Sequence, residues 1–103
     1  MMVLIDITCS SEEEATKIAE KLLKERIVAC SNIIKNMKSM YWWENKIEKD
    51  EETILILKTT ECKVDELIKR VEKLHSYENP AIIVLPVLKT TKSYLKWIEN
   101  EVK

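Results

Sequence analysis

The chain has 103 residues, enough for one domain with one modest core over residues 1–103. Its 17 basic and 18 acidic side chains leave a formal net charge of -1, without the basic excess of a nucleic-acid or membrane-surface binder. Glycine is absent, which excludes a P-loop, a dinucleotide fingerprint and a glycine-rich phosphate cradle, and argues against a nucleotide cofactor.

Met2 to Thr8 is a short apolar run of β-favouring residues, predicted as a central strand. Ser11 stands three residues before Glu14, a capping-box signature, and Ala15, Ile18, Ala19, Leu22 and Leu23 follow at helical spacing to about Glu25. Ile27 to Trp43 reads as extended, Glu44-Asn45-Lys46 as a turn in which Asn takes the left-handed conformation, and Ile47 to Thr59 as the return strand. That strand begins charged and ends apolar at Ile54-Leu55-Ile56-Leu57, so its far end belongs to the core. Val64, Leu67, Ile68, Val71 and Leu74 are in register on a second helix, which stops at His75 because Pro80 and the bend before it resist helix. Ala81 to Val87 is a fourth strand, and Thr91 to Val102 a third helix.

The order β-α-β-β-α-β, then α, predicts an α+β, ferredoxin-like sandwich with an extra C-terminal helix and edge strands second and fourth. Pro86 suits an edge or a strand end. A second strand of about 17 residues at ~3.3 Å each spans roughly 55 Å, whereas a compact chain of this length is about 33 Å across. The hairpin must therefore overhang as an arm, with Tyr41, Trp42 and Trp43 at its tip. Such an arm needs a partner, and a head-to-tail copy closes into a ring. These aromatics are read as interface anchors.

Cys9, Cys30 and Cys62 form neither a disulfide framework nor a zinc motif. With no secretory signal and no apolar run near the roughly 18 residues of a membrane span, the chain reads as cytoplasmic, without membrane or nucleic-acid partners. The Lys/Glu/Ile bias without Gln suits a heat-adapted source, and equally AT-rich coding. His75, the one histidine, reads either as a helix-end residue or as a soft-metal ligand with a thiolate such as Cys30 from a neighbouring strand or subunit. Cys30 reads alternatively as a small buried apolar residue. Cys9, between a strand end and a helix start, is placed where a thiol pKa can fall. Lys58 follows four apolar residues and is expected at the domain rim, paired with Glu51, Glu78 or an anion, or else as an ordinary strand-end lysine. Lys58 and Tyr77, with the arm aromatics, are the residues expected to take a small anion, with Glu51 or Glu78 offering oxygen to a cation. No nucleophile-base pair and no arginine loop is visible, so no enzyme is expected, and the central strands lack the stacking aromatics of an RNA-recognition module.

Several blocks together carry a family resemblance: Ile27-Val28-Ala29-Cys30-Ser31-Asn32-Ile33, Tyr41-Trp42-Trp43-Glu44-Asn45-Lys46-Ile47 and Ile56-Leu57-Lys58-Thr59-Thr60. They continue in His75-Ser76-Tyr77-Glu78-Asn79-Pro80-Ala81-Ile82, Leu85-Pro86-Val87 and Tyr94-Leu95-Lys96-Trp97-Ile98. From Ile5 to Ile98 the chain resembles the CutA divalent-cation-tolerance family. The resemblance implies a homotrimer of ferredoxin-like subunits akin to PII signal proteins, and an association with copper or other divalent cations. In animal relatives it also implies anchoring of a membrane protein. Ile7 and Leu74 stand where the copper site proposed for bacterial members has Cys and His, so His75 alone of that set is kept. Asn45 replaces the usual turn Gly, and Ser76 the Pro that usually follows His. The alternatives are a PII-like small-molecule regulator and a scaffolding trimer without ligand.

Overall fold

The computed structural model describes residues 1–103. The elements are β1 (Met2–Cys9), α1 (Glu12–Lys24), β2 (Cys30–Trp43), β3 (Lys46–Thr60), α2 (Val64–Leu74), β4 (Ile82–Pro86) and α3 (Lys92–Glu101), with a 3-10 turn, Glu61–Lys63, leading into α2. The strands form one antiparallel, 4-stranded sheet in the order β2-β3-β1-β4, the split β-α-β arrangement with β2 and β4 as edges. Pro86 closes β4 opposite Val3, at an edge where its missing N–H costs nothing. No helix is long and apolar enough to cross a membrane.

Local chemistry starts and stops the helices. Ser11 accepts the Glu14 N–H at 3.1 Å and Thr91 the Tyr94 N–H at 3.2 Å, each satisfying a first-turn donor. Arg26, with φ 60°, takes the left-handed position that ends α1, and Ile27 N–H returns to the Leu22 carbonyl at 3.0 Å. In a chain without glycine, an arginine carries that conformation. Its guanidinium meets Glu101 Oε2 at 2.7 Å.

The period of two along the strands divides the sheet into unlike faces. Val3, Ile5, Ile7 and Cys9 of β1 and Leu55 and Leu57 of β3 pack against Ala15, Ile18, Ala19 and Leu22 of α1 and Leu67 and Val71 of α2. Leu4, Ile54 and Ile56, on the other face, are only half-buried, and Ile34, Ile83 and Leu85 are exposed.

β2 begins at Cys30, later than the expected Ile27, because Ile27 and Val28 turn into the core before pairing starts. Thr59 Oγ1 donates to the Ile27 carbonyl at 2.5 Å and holds that approach. Between Ile34 and Met37 the register slips: Lys35 and Asn36 stand opposite Thr53, and Asn36 takes φ 62°. This bulge bends and twists the pair where it leaves the core. Beyond it the arm ends in a two-residue turn, Glu44-Asn45, both left-handed at φ 49° and 62°, the geometry that matches strand twist. Residues 41–50 are all exposed, and the molecule measures 45 × 26 × 22 Å, elongated as the overhang requires.

Candidate functional site

Antiparallel pairing brings three separate segments to one end of the sheet. Ile7 lies opposite Ile82, so the bend between α2 and β4 must arrive beside Cys9 and the start of α1. His75 caps α2 there with its side chain wholly buried. Its Nε2 lies 2.7 Å from the Thr8 carbonyl, which can only accept, so Nε2 carries the proton. Nδ1 is then the acceptor, and it takes the Tyr77 peptide N–H at 3.0 Å. Both ring nitrogens are engaged.

Glu14 faces the same point from the first turn of α1. One carboxylate oxygen accepts the Ser10 N–H and hydroxyl, both at 2.9 Å, and the other accepts the Ser76 N–H at 2.7 Å. Burial by itself would raise its pKa. The hydrogen bonds from Ser76 and Ser10 outweigh that and bring it down from 4.5 to about 2. The second Glu14 oxygen is 3.8 Å from His75 Nδ1. Cys9 completes the group: its Sγ, a Glu14 oxygen and a His75 nitrogen all lie within 4.8 Å of one another. Burial, then the charges of Glu14 and Glu52, push the Cys9 thiol up to about 12. The lowered pKa anticipated from its place near a helix start is therefore corrected, because the side chain points into the core beside two carboxylates.

Tyr77 links this cluster to the arm. Its ring lies tilted against the imidazole, with centroids 4.8 Å apart, and its hydroxyl donates to Glu52 Oε2 at 2.6 Å. Burial and the Glu52 carboxylate hold that hydroxyl protonated well above the ordinary phenol range. Glu52 is the first residue of β3 paired beyond the bulge, opposite Met37, and is 8 % exposed. Alongside runs an all-polar cleft of about 260 Å³ lined by Ser10, Glu12, Glu13, Lys35, Glu51 and Glu52, among others.

The structure separates several residues that sequence reasoning placed together. Cys30 pairs with Lys58, which in turn pairs with Leu4, at the opposite end of the sheet from His75. Thr8, which holds the imidazole, pairs with Ile54, leaving Cys30 about 13 Å away along the strand direction alone. Within a subunit, the His75–Cys30 pair is therefore replaced by His75–Cys9. The physical reason is direction: Cys30 follows the C-terminal end of α1, whereas His75 sits beside its N-terminal end. Lys58 and the Tyr77–Glu52 contact are likewise about 20 Å apart along β3, so no single subunit joins Lys58 and Tyr77 in an anion pocket. The Lys58 ammonium lies 5.9 Å from the Tyr94 ring and is not paired with Glu51 or Glu78. Glu51 is exposed on the wall of the polar cleft, and Glu78 is exposed in the bend. Tyr41, Trp42 and Trp43 stand 38 %, 72 % and 57 % exposed on the arm.

Glu14 and Glu52 were missed as site residues. In the sequence Glu14 reads only as the capping-box partner of Ser11, and Glu52 as part of the charged start of the return strand. The signal that could have found Glu14 is topological: in this fold the start of the first helix and the end of the second share one end of the sheet.

Thiol, carboxylate and imidazole together suit a borderline-to-soft divalent cation in kind and separation. Each group is nevertheless already engaged, with a proton on Cys9, the Ser76 amide on Glu14 and the Tyr77 amide on His75. A cation would be held there in competition with those partners.

The family model described as CutA1 divalent ion tolerance protein matches residues 3–101. The chain belongs to the CutA1 divalent ion tolerance family. It is 43% identical over 102 residues to the divalent-cation tolerance protein CutA of Pyrococcus horikoshii, covering 99% of each chain. To that of Thermotoga maritima it is 42% identical over 101 residues, covering 98% of this chain and 99% of the other. Its structure superposes on CutA of Archaeoglobus fulgidus, described as a periplasmic divalent cation tolerance protein, with TM-score 0.97 and 41% identity over 100% of both chains. The Thermus thermophilus protein gives TM-score 0.97 at 37% identity, again over 100% of both. The CutA family is named for tolerance of divalent cations, not for a reaction.

Proposed function

We propose that this chain works as a homotrimer in the response to divalent cations, with no catalytic step of its own, and that Cys9, Glu14 and His75 hold the cation. The observation that carries this reading is the convergence of three unlike donor atoms within 4.8 Å in a member of a divalent-cation-tolerance family. The thiol favours copper or a cation of similar softness over a hard one. Glu51, on the adjoining polar cleft, supplies a carboxylate on the approach. Because the Cys9 thiol must lose its proton on ligation, uptake strengthens as pH rises.

The trimer is supported by what one subunit leaves uncovered. Ile34, Ile83 and Leu85 on the open sheet face and Trp42, Trp43 and Ile47 on the arm are large apolar side chains in solvent. Head-to-tail pairing of arm and sheet face would bury both. In this reading the neighbouring Cys30 and Lys58, and Glu78 in the bend before β4, belong to clefts between subunits. A cytoplasmic location is part of the same proposal, supported by three unpaired cysteines.

Titration of the intact chain with Co(II) tests the site. Wild type should show thiolate-to-cobalt charge-transfer absorption that Cys9→Ala abolishes and His75→Asn weakens. An identical spectrum in wild type and Cys9→Ala would sink the assignment. Native mass spectrometry should give three copies per particle, and a stable monomer would reject the trimer.

A further inference from the structure

Two of the pocket atoms, Glu14 Oε2 and His75 Nδ1, lie 3.8 Å apart and are occupied by successive peptide donors of one bend. Ser76 N–H points at Glu14 Oε2 and Tyr77 N–H at His75 Nδ1, at 2.7 and 3.0 Å. Two adjacent N–H dipoles thus present partial positive charge to the same atoms a cation would use. The two acceptors differ in capacity. A carboxylate oxygen has more than one lone pair and can keep the Ser76 amide while accepting a second partner. An imidazole nitrogen has one in-plane lone pair, and Nε2 is already committed to the Thr8 carbonyl. His75 Nδ1 can therefore serve Tyr77 or a cation, but not both.

Tyr77 is held at its other end as well. Its hydroxyl donates at 2.6 Å to Glu52, a largely buried carboxylate. Glu52 sits where β3 passes from the core into the arm, immediately beyond the bulge at Lys35 and Asn36. A displacement of the Tyr77 backbone is thus felt at the arm root, through a side chain packed on the imidazole itself.

We infer that Tyr77 is the gate of the Cys9–Glu14–His75 pocket, its amide competing for His75 Nδ1 and its hydroxyl tying that competition to Glu52 at the root of the arm. Cation capture and the Tyr77–Glu52 contact oppose each other. The inference rests on the cation reading above, and it adds a direction: the pocket reports its occupancy toward the arm that reaches for neighbouring subunits.

The test compares wild type with Tyr77→Phe, which keeps the amide and the ring and removes only the hydroxyl. Co(II) alone is the probe, read by thiolate charge transfer. Releasing the Glu52 contact removes a charge-assisted hydrogen bond that favours the closed bend, so Tyr77→Phe should bind Co(II) about tenfold more tightly. Independently, saturation of the wild-type chain with Zn(II) should speed hydrogen exchange of the Tyr77 amide about tenfold or more, read by NMR. Equal Co(II) affinity in the two proteins, with charge transfer present in both, would overturn the gate and leave the pocket standing. So would a Tyr77 amide that stays protected at Zn(II) saturation. Absence of charge transfer in both proteins would instead overturn the cation reading itself.

Discussion

The two halves of β3 share a strand and almost nothing else. From Glu52 to Thr60 its residues are buried or half-buried and packed under α1 and α2, with β1 paired from Thr53 to Thr60 and β2 from Ile54 to Lys58. From Lys46 to Glu51 every residue is exposed, and the sole paired strand is β2. The change falls at the bulge, where Thr53 pairs with Cys9 on one side and faces the extra residues Lys35 and Asn36 on the other. A two-stranded ribbon without a third strand or a helix is marginal in water. The inner half is therefore stabilised by its own chain, and the outer half must draw on another.

This contrast can be broken by substitution. The largest effect belongs to the core half: Leu55→Ala, at 0% exposure between β1 and α1, should cost about 2–5 kcal/mol in denaturant unfolding. Replacing the exposed tip residues, Trp42→Ala with Trp43→Ala, should leave the subunit's circular dichroism intact while weakening assembly by roughly 2 kcal/mol or more, measured by dilution in native mass spectrometry. A double variant that assembles as tightly as wild type would show that the arm is not an interface element. Third comes the acid limb. The folded pKa of Glu14, about 2, lies below its ordinary 4.5, so its stabilising contribution is full above about 4.5 and disappears as pH falls toward 2. Glu14→Gln should therefore be less stable than wild type near neutrality, and the gap should close on acidification. A gap that persists to pH 2 would deny the carboxylate its role in holding the Ser76 bend. The smallest effect is expected for Arg70→Met, since the Arg70–Glu25 pair, although bidentate at 2.7 and 2.9 Å, lies at the surface. A denaturation midpoint indistinguishable from wild type is the expected result.

Much of the fold is legible along the chain, because its causes are local. Ser11 and Thr91 cap the helices they precede, the periodicity of Ile18, Leu22, Leu67 and Val71 faces them inward, and Asn45 supports the turn. The overhang follows from strand length alone, although the pairing of β2 begins at Cys30 and so shortens the strand to 14 residues. The site was half legible. His75 and Tyr77 stood out as unusual residues in a bend, and both are in the cluster, but Cys9 was read as a separate thiol and Glu14 as a cap.

What the sequence determined by itself is the order of the elements, the helix starts that local caps set and the excess length of the hairpin, for these depend on neighbours in the chain. Only the tertiary structure decided that Cys9, Glu14 and His75 meet and that Cys30 does not join them. Strand direction sends each connection to one end of the sheet or the other, and the donors that share an end lie as far apart as Cys9 and His75 in the chain. Packing decided their chemistry too. Burial keeps the thiol protonated, hydrogen bonds keep the carboxylate ionised, and the Tyr77 amide fills the free lone pair of the imidazole.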